Sequence, residues 1–219
     1  MKKKKAKKIK TTKNISKKQI AEQNKTLKYI LFGIIIIIVG VFAGFFISNS
    51  MKHFEYNGLK FNIIQEGKIT FYQTSIPVIY NGQNVNYNFY LRNDPRKSKV
   101  DFNGNLSLSK FMVVNSTADI YCEGYGTIAI ANLLKLYEVL GVNVIRDENA
   151  TCDEGGQFMH IQIQESDKTS IEQTGPKCYN LNLNNCEILQ VTEKFMIETL
   201  TEISKWFLFL FIKIYKYCN

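Results

Sequence analysis

Residues 28–52 read KYILFGIIIIIVGVFAGFFISNSMK, and the nineteen residues 29–47 within this stretch carry no charge. Positions 34–38 are all isoleucine. β-Branched residues favour strands in water, but strands rarely exceed about ten residues. As a helix, the stretch would reach about 28 Å, which matches the hydrocarbon thickness of a bilayer. The stretch therefore predicts a transmembrane helix over residues 29–47.

A cleavable signal peptide is the alternative interpretation of this stretch. Ser48 and Ser50 would supply the small residues that precede a cleavage site after Ser50. Signal peptides usually have an apolar core of about 7 to 15 residues and a short basic head. Here the core is longer and 28 residues precede it. We therefore favour an uncleaved signal anchor, with cleavage as the open alternative.

The 28 residues before the span hold twelve lysines and one glutamate, whereas residues 29–219 hold sixteen basic and eighteen acidic side chains. The net charge of +9 thus comes from the head. It does not by itself indicate a protein that binds specific nucleic acids. By the positive-inside rule, residues 1–28 form a disordered cytoplasmic tail and the carboxyl side is exported. The predicted partner of the chain is the lipid bilayer. For the tail itself we favour a topogenic signal that binds nothing in particular; contact with anionic lipid headgroups or with cytoplasmic nucleic acid are the alternatives.

Gly40 and Gly44 lie four positions apart within the span. Small residues at this spacing allow two helix backbones to approach closely. The motif is weak because glycine is common in membrane helices. It predicts a homodimer that packs through the transmembrane helix.

Residues 51–205 are long enough for one exported domain with its own core. Asn57-Gly58 and Asn81-Gly82 each stand between short apolar runs, which is typical of a two-residue hairpin turn. Alternation in residues 84–91 predicts a strand with one apolar face. Further strands are expected near residues 110–114, 142–145, 158–164 and 177–183.

The period of the apolar residues becomes helical over residues 127–140, and Gly141 stands where a helix terminator is expected. A second helix should begin beyond Asn184, whose side chain would cap it together with Glu187, and continue to Ile203. These patterns predict an α+β fold, in which an N-terminal single transmembrane helix is followed by a mainly antiparallel β-sheet domain with two helices.

All five cysteines follow the span. In an exported domain, Cys122, Cys152, Cys178 and Cys186 can form two disulfides and leave Cys218 unpaired. Three pairings are open, and we prefer Cys122 with Cys152 and Cys178 with Cys186, because the second pair flanks a strand and the start of a helix. Four reduced cysteines in a cytosolic domain are the alternative. No metal site is predicted, since paired CxxC motifs are missing.

The densest polar cluster is LRNDPRKSK at residues 91–99, where Arg92, Asp94 and Arg96 follow an aromatic strand. Two guanidinium groups held close together can clamp a carboxylate, a phosphate or a sugar acid. These three residues are therefore the predicted binding site. The alternative is an Arg-Asp ion pair that ends the strand in a solvated loop.

Sequence motifs predict no catalytic residue and no cofactor. There is no GxSxG motif, and the two histidines are His53 and His160. A histidine within an apparent strand, as at His160, is more typical of packing than of catalysis. Gly124 and Gly126 in CEGYGTIAI precede a helix as in a phosphate-binding turn, but the third glycine and a clear parallel βαβ pattern are missing.

The lysine-rich head and span, YLRNDPR at residues 90–96 and CYNLNLNNCEILQVTEKF at residues 178–195 together resemble small single-pass membrane proteins of uncharacterised archaeal families. The resemblance covers roughly residues 30–203, implies an exported Cys-containing domain, and carries no known activity. Residues 206–219 lie outside it. Their seven-residue apolar run is too short to span a membrane, but its aromatic residues and flanking lysines suit a membrane interface. A sheet-packing segment, or a tail that differs from those of its relatives, is the alternative.

The leading functional hypothesis is a non-enzymatic, membrane-anchored cell-envelope module that binds a partner protein or a glycan outside the membrane. An exported hydrolase that uses carboxylates such as Asp94 or Asp119 is the alternative. A carboxylate pair in a deep pocket would favour the enzyme, and a shallow apolar or aromatic patch would favour binding. In a third hypothesis, the basic tail itself recruits lipid or nucleic acid.

Overall fold

The structure is a computed structural model that describes residues 17–50, 52–80, 82–147 and 149–217. The chain forms two compact units, which divide between Met51 and Lys52. The first unit contains one long helix, and the second contains two β-sheets and two helices.

Helix α1 (Lys17–Ser50) contains the apolar stretch. Within the described residues, one segment is long and apolar enough to cross a membrane, Leu27–Phe46, with a mean hydropathy of 2.8. It agrees with the span predicted over residues 29–47 to within two positions. The helix begins inside the tail predicted to be disordered, and residues 1–16 of that tail lie outside the described part of the chain. A Cβ at Gly40 or Gly44 would meet nothing within 4 Å.

The second unit begins with a four-stranded antiparallel meander in the order β1-β2-β3-β4. Its strands are β1 (His53–Tyr56), β2 (Leu59–Glu66), β3 (Ile69–Tyr80) and β4 (Gln83–Leu91). Asn57 and Gly58 have φ angles of 51° and 77°, as a two-residue hairpin turn requires, so the predicted turn is confirmed. Gly82 likewise has a φ of 75°, whereas Asn81 lies outside the described residues.

The second sheet has six strands in the order β5-β9-β10-β8-β6-β7. They are β5 (Asp101–Asn103), β6 (Phe111–Ser116), β7 (Asn143–Arg146), β8 (Met159–Glu165), β9 (Ser170–Gly175) and β10 (Cys178–Leu183). Only β9 and β10 pair antiparallel, and the other neighbours are parallel. The α+β class, the N-terminal apolar helix and the two further helices are confirmed, while these parallel pairings were not foreseen.

Helix α2 (Tyr125–Val139) connects β6 to its parallel neighbour β7. Its end is as predicted: Gly141 has a φ of 73°, and its N–H donates to the Glu138 carbonyl. The sequence had shown no clear βαβ pattern, yet β6, α2 and β7 form one. Gly126, in the first turn of α2, allows the backbone at Ile120 to pack closely, because an added Cβ would lie 1.4 Å from the Ile120 carbonyl oxygen.

Helix α3 (Ile188–Tyr217) contacts α2 and both sheets. The Glu187 carbonyl accepts hydrogen bonds from the N–H groups of Gln190 and Val191, so Glu187 occupies the N-cap position. The predicted cap at Asn184 is wrong, because the Asn184 amide donates instead to the Asp167 carbonyl at 2.8 Å. The helix continues past the predicted domain boundary at residue 205, and residues 218–219 lie outside the described chain.

One hydrophobic core joins the two sheets and the two helices. Ile161 and Ile163 in β8 and Tyr179 and Leu181 in β10 have no exposed surface and belong to this core. The ring of Tyr179 packs against that of Phe195 in α3. Burying one such side chain stabilises the fold by about 1.5–3 kcal/mol. The core thus fixes the position of α3 against the ends of the strands.

Two nested disulfides cross the second unit. Cys122 pairs with Cys186, which lies just before α3, and Cys152 pairs with Cys178 at the start of β10; the Cα–Cα distances are 5.4 and 5.6 Å. The preferred pairing of Cys122 with Cys152 and Cys178 with Cys186 is wrong. Cys178 begins β10 and Cys186 follows its other end at Leu183 by three residues, and the extended strand between them is about 16 Å long. A bridge requires Cα atoms within about 7 Å.

Candidate functional site: a basic cleft beside the start of helix α3

The turn after β4 is built around Asp94. Its carboxylate accepts hydrogen bonds from the Arg96 backbone N–H at 3.1 Å, from Nε at 2.9 Å and from Nη2 at 2.7 Å. Pro95 then opens a short 3₁₀ turn, Pro95–Lys97, for which the fixed φ of proline is suited. These contacts make a rigid corner of the predicted polar cluster.

Two aromatic rings of the meander hold the two arginines of this cluster. The Arg92 guanidinium lies 5.0 Å from the ring centroid of Phe71 in β3, and that of Arg96 lies 3.8 Å from Phe54 in β1. A guanidinium within about 6 Å of a ring face is attracted by the ring electrons. The aromatic strands of the sequence thus position both cations.

A buried carboxylate from α3 fixes the end of β4. Glu193 is 2% exposed, and its Oε1 accepts a hydrogen bond from the Arg92 N–H at 2.6 Å. Its Oε2 accepts from the backbone N–H of Asn93 at 2.9 Å and from the Asn93 side-chain amide at 2.8 Å. Burial raises the pKa of Glu193 to about 7, although these hydrogen bonds oppose the shift. Glu193 therefore binds a proton more readily than an ordinary glutamate.

A cleft of about 670 Å³ opens between this corner, the loop before β9 and the first turns of α3. Its charged lining comprises the cations Arg92, Lys97, Lys99, Lys168 and Lys194 and the carboxylates Asp94, Glu187 and Glu193.

Each of the three carboxylates is engaged by a neighbouring group. Asp94 pairs with Arg96, whose hydrogen bonds lower the pKa of Asp94. Glu187 accepts a hydrogen bond of 2.5 Å from the Thr169 hydroxyl, and Glu193 is bound by the end of β4. Neutral donors leave the charges of Glu187 and Glu193 in place, so the positive charge of the cleft comes from the excess of its five cations over its three carboxylates.

The lysines of the cleft differ in what they contact. Lys168 pairs with Asp101 at 2.5 Å and Lys194 pairs with Glu198 at 2.6 Å. Lys97 and Lys99 are exposed, and their ammonium groups form no hydrogen bond or ion pair with any residue that the structure describes. They are the two ammonium groups best placed to contact an anion.

The three residues of the predicted binding site do not all line the cleft. Arg92 and Asp94 line the cleft, whereas Arg96 does not and is paired with Asp94. This arrangement contains the ion pair that was the structural alternative, while ligand binding by these residues stays a prediction. Asp119, the other carboxylate considered for an enzyme, lies outside the cleft and accepts a hydrogen bond from the Tyr121 N–H.

Glu193 is the main residue that sequence reasoning missed, and a signal for it existed. It lies on the same face of the predicted helix as Leu189, Met196 and Leu200, all of which are buried. A carboxylate within an apolar helical stripe is rarely left unpaired. Lys168 and Lys194 had no such signal, because single lysines are ordinary in a sequence.

The histidines have structural contacts. His160 is 5% exposed, and its Nε2 lies 3.1 Å from the Ala150 carbonyl oxygen. His53 lies 2.7 Å from the Asn62 side-chain oxygen through Nδ1. Within the described residues, no three side chains of His, Cys, Asp or Glu are grouped to hold a metal ion.

No protein-family model matches the chain, and neither a curated protein nor a solved structure shows significant similarity to it.

Proposed function

We propose that the protein is a membrane-anchored cell-envelope module whose exported domain binds an acidic glycan in the basic cleft. The charge of the cleft carries this proposal: five cations and three carboxylates line it, and the ammonium groups of Lys97 and Lys99 have no ion-pair partner among the described residues. Guanidinium and ammonium groups pair with sugar carboxylates. The amides of Asn93 and Asn184 also line the cleft and offer partners for hydroxyl groups. The resemblance to archaeal single-pass membrane proteins agrees with the anchor and leaves the ligand open.

A binding measurement with a sugar acid tests the ligand class. The full chain, held in nanodiscs of neutral lipid, is titrated with glucuronate and with glucose. We expect glucuronate alone to bind, and Arg92→Gln or Lys97→Gln to weaken it about tenfold, because one charge-assisted hydrogen bond contributes about 1.5 kcal/mol or more. Lys110→Gln, at an exposed lysine outside the cleft, is the matched control. Equal binding of glucose, or equal weakening by the control, would reject the proposal.

The orientation belongs to the same proposal. One candidate span, a lysine-rich head and two disulfides support an exported second unit, since disulfides persist in oxidising compartments. An impermeant maleimide added to intact cells should label Cys218 without reductant, and the other cysteines only after reduction. Cys218→Ser should abolish the first signal. Labelling that requires opened cells would place the domain inside.

A hydrolase remains the second candidate because one cleft carboxyl, Glu193, has a pKa of about 7, and a general acid works best near the ambient pH. Both oxygens of Glu193 accept hydrogen bonds from Arg92 and Asn93 at the end of β4. This engagement favours a binding module over an enzyme. Release of reducing ends from an acidic polysaccharide, abolished by Glu193→Gln but not by Glu198→Gln, would establish the enzyme.

The homodimer through Gly40 and Gly44 is a separate proposal, supported by the open surface at both positions. Gly40→Leu together with Gly44→Leu should reduce energy transfer between labelled chains in a bilayer. Val41→Leu is the matched control, and an unchanged signal in the double variant would exclude this interface.

A further inference from the structure

A second cavity of about 740 Å³ adjoins the basic cleft. Arg92, Asn93, Glu187 and Gln190 line both cavities. Because four residues form walls of both, the two spaces are neighbours that meet at Arg92 and at the start of α3. Their combined volume exceeds that of one monosaccharide, and we call this pair of adjacent cavities the long groove.

Cations are distributed along the long groove. Lys68 lines the second cavity, Arg92 stands at the junction, and Lys97 and Lys99 line the first cavity. Among the described residues, Glu187 is the only carboxylate that lines the second cavity. The first turn of α3 also faces both cavities, and a helix N-terminus favours negative charge. This distribution suits a ligand with several negative charges in succession.

The uncharged lining distinguishes between polyanions. Thr70 and Asn185 line the second cavity, Asn184 lines the first, and Gln190 lines both. Hydroxyl and amide groups both donate and accept hydrogen bonds, as sugar hydroxyls require. Tyr72 in the first cavity and Tyr125 in the second are the aromatic side chains that line the groove. A single-stranded nucleic acid would need an aromatic platform for successive bases, so the lining favours a polysaccharide.

We infer that the long groove binds an extended acidic polysaccharide, with carboxylates along one chain contacting Lys68, Arg92 and the pair Lys97 and Lys99. The inference rests on the proposed function and adds that the ligand is a polymer with repeated charge. Linking charged units turns each further contact into an intramolecular one, which raises affinity without a stronger single contact.

The length of the ligand provides the test. The full chain in neutral-lipid nanodiscs is titrated with galacturonic acid and with its dimer and hexamer. We expect the hexamer to bind about tenfold or more tightly than the monomer, as linked sites do. Lys68→Gln should remove this gain, whereas Arg92→Gln should weaken the binding of the monomer itself. Lys110→Gln should keep the gain, and since every variant has the same lysine-rich tail, tail binding cancels in the comparison.

The outcomes separate the two levels of the proposal. If the monomer binds and Arg92→Gln weakens it, but length or Lys68 has no effect, the long groove is rejected and the proposed function stands. If no acidic sugar binds, both fail. Maltohexaose, a neutral hexamer, should not bind, and binding equal to that of the hexagalacturonate would overturn the charge argument. Tighter, Lys68-dependent binding of hexathymidylate would show a nucleic-acid groove instead.

Discussion

The backbone N–H of Arg92 donates a 2.6 Å hydrogen bond to Oε1 of Glu193, a residue 101 positions further along the chain. The other carboxylate oxygen accepts hydrogen bonds from the backbone N–H and the side-chain amide of Asn93. One buried side chain of α3 therefore holds the last strand of the meander at the edge of the cleft. Both the shape of the cleft and the joining of the meander to the rest of the domain depend on this contact.

Removing the carboxylate should destabilise the domain. Glu193→Ala leaves the N–H groups of Arg92 and Asn93 without an acceptor, and a buried unsatisfied group costs about 1–3 kcal/mol. We expect the free energy of unfolding to fall by about 3 kcal/mol, measured by urea unfolding followed by circular dichroism. Glu198→Ala on the same helix, which loses the partly buried ion pair with Lys194, should cost about 1 kcal/mol. Equal losses would contradict a special role for Glu193.

The same carboxyl should make stability depend on pH. Its folded pKa of about 7 lies above its ordinary value of 4.5, so the folded state holds more protons between these values. The stability linked to Glu193 is fully present below about pH 4.5 and is lost as pH rises through about 7, by about 3 kcal/mol. The difference in unfolding free energy between the protein and Glu193→Gln should show this decline.

Asp94 acts in a different pH window, which keeps the two effects distinguishable. Arg96 lowers the pKa of Asp94 below its ordinary 3.8. Its contribution is therefore present above that value and is lost as pH falls further. If the difference in unfolding free energy between the protein and Glu193→Gln rises between pH 5 and pH 8, about the window of Glu193, the pH dependence assigned to Glu193 is refuted.

Arg96 should influence ligand binding through Asp94 and not by direct contact. Arg96→Gln leaves the 8% exposed Asp94 without its partner and places an unmatched negative charge at the cleft. We expect glucuronate affinity to fall about fivefold, roughly 1 kcal/mol. Asp94→Asn combined with Arg96→Gln should restore it. If the double variant stays as weak as Arg96→Gln alone, Arg96 contacts the ligand and the guanidinium clamp is correct.

The nested disulfides should differ in how much they stabilise. The Cys122–Cys186 bridge spans 64 residues and the Cys152–Cys178 bridge spans 26. Restriction of the unfolded chain predicts about 4.3 and 3.5 kcal/mol respectively. Paired Cys→Ala substitutions and urea unfolding measure both values. Mass spectrometry of a non-reduced digest checks the pairing, and a peptide that links Cys122 to Cys152 would contradict it.

Sequence patterns predicted the features that depend on neighbouring residues. Asn57-Gly58 determines its own hairpin because both residues accept positive φ angles, and Gly141 ends α2 for the same reason. The apolar stretch identifies α1 by length alone. In the cleft, Arg92 and Asp94 were found because they stand in one dense polar run.

Features that depend on distant pairings could not be predicted in this way. Met112 stands beside Met159 in parallel register, but a buried parallel strand and a buried antiparallel strand look alike over a few apolar residues. The contact between Arg92 and Glu193 requires the whole core to assemble first. Lys168 enters the cleft only because β9 and α3 meet there.

The nesting of the bridges has a consequence for biogenesis. If the exported domain crosses the membrane in sequence order, starting from the residues that follow the span, Cys122 and then Cys152 meet the oxidant before the native partner of either has emerged. Rapid oxidation in order of emergence would join these two and trap the domain in an unproductive form. In the proposed topology, maturation therefore depends on delayed oxidation or on a thiol-exchange catalyst that reshuffles the first bridge once Cys186 arrives.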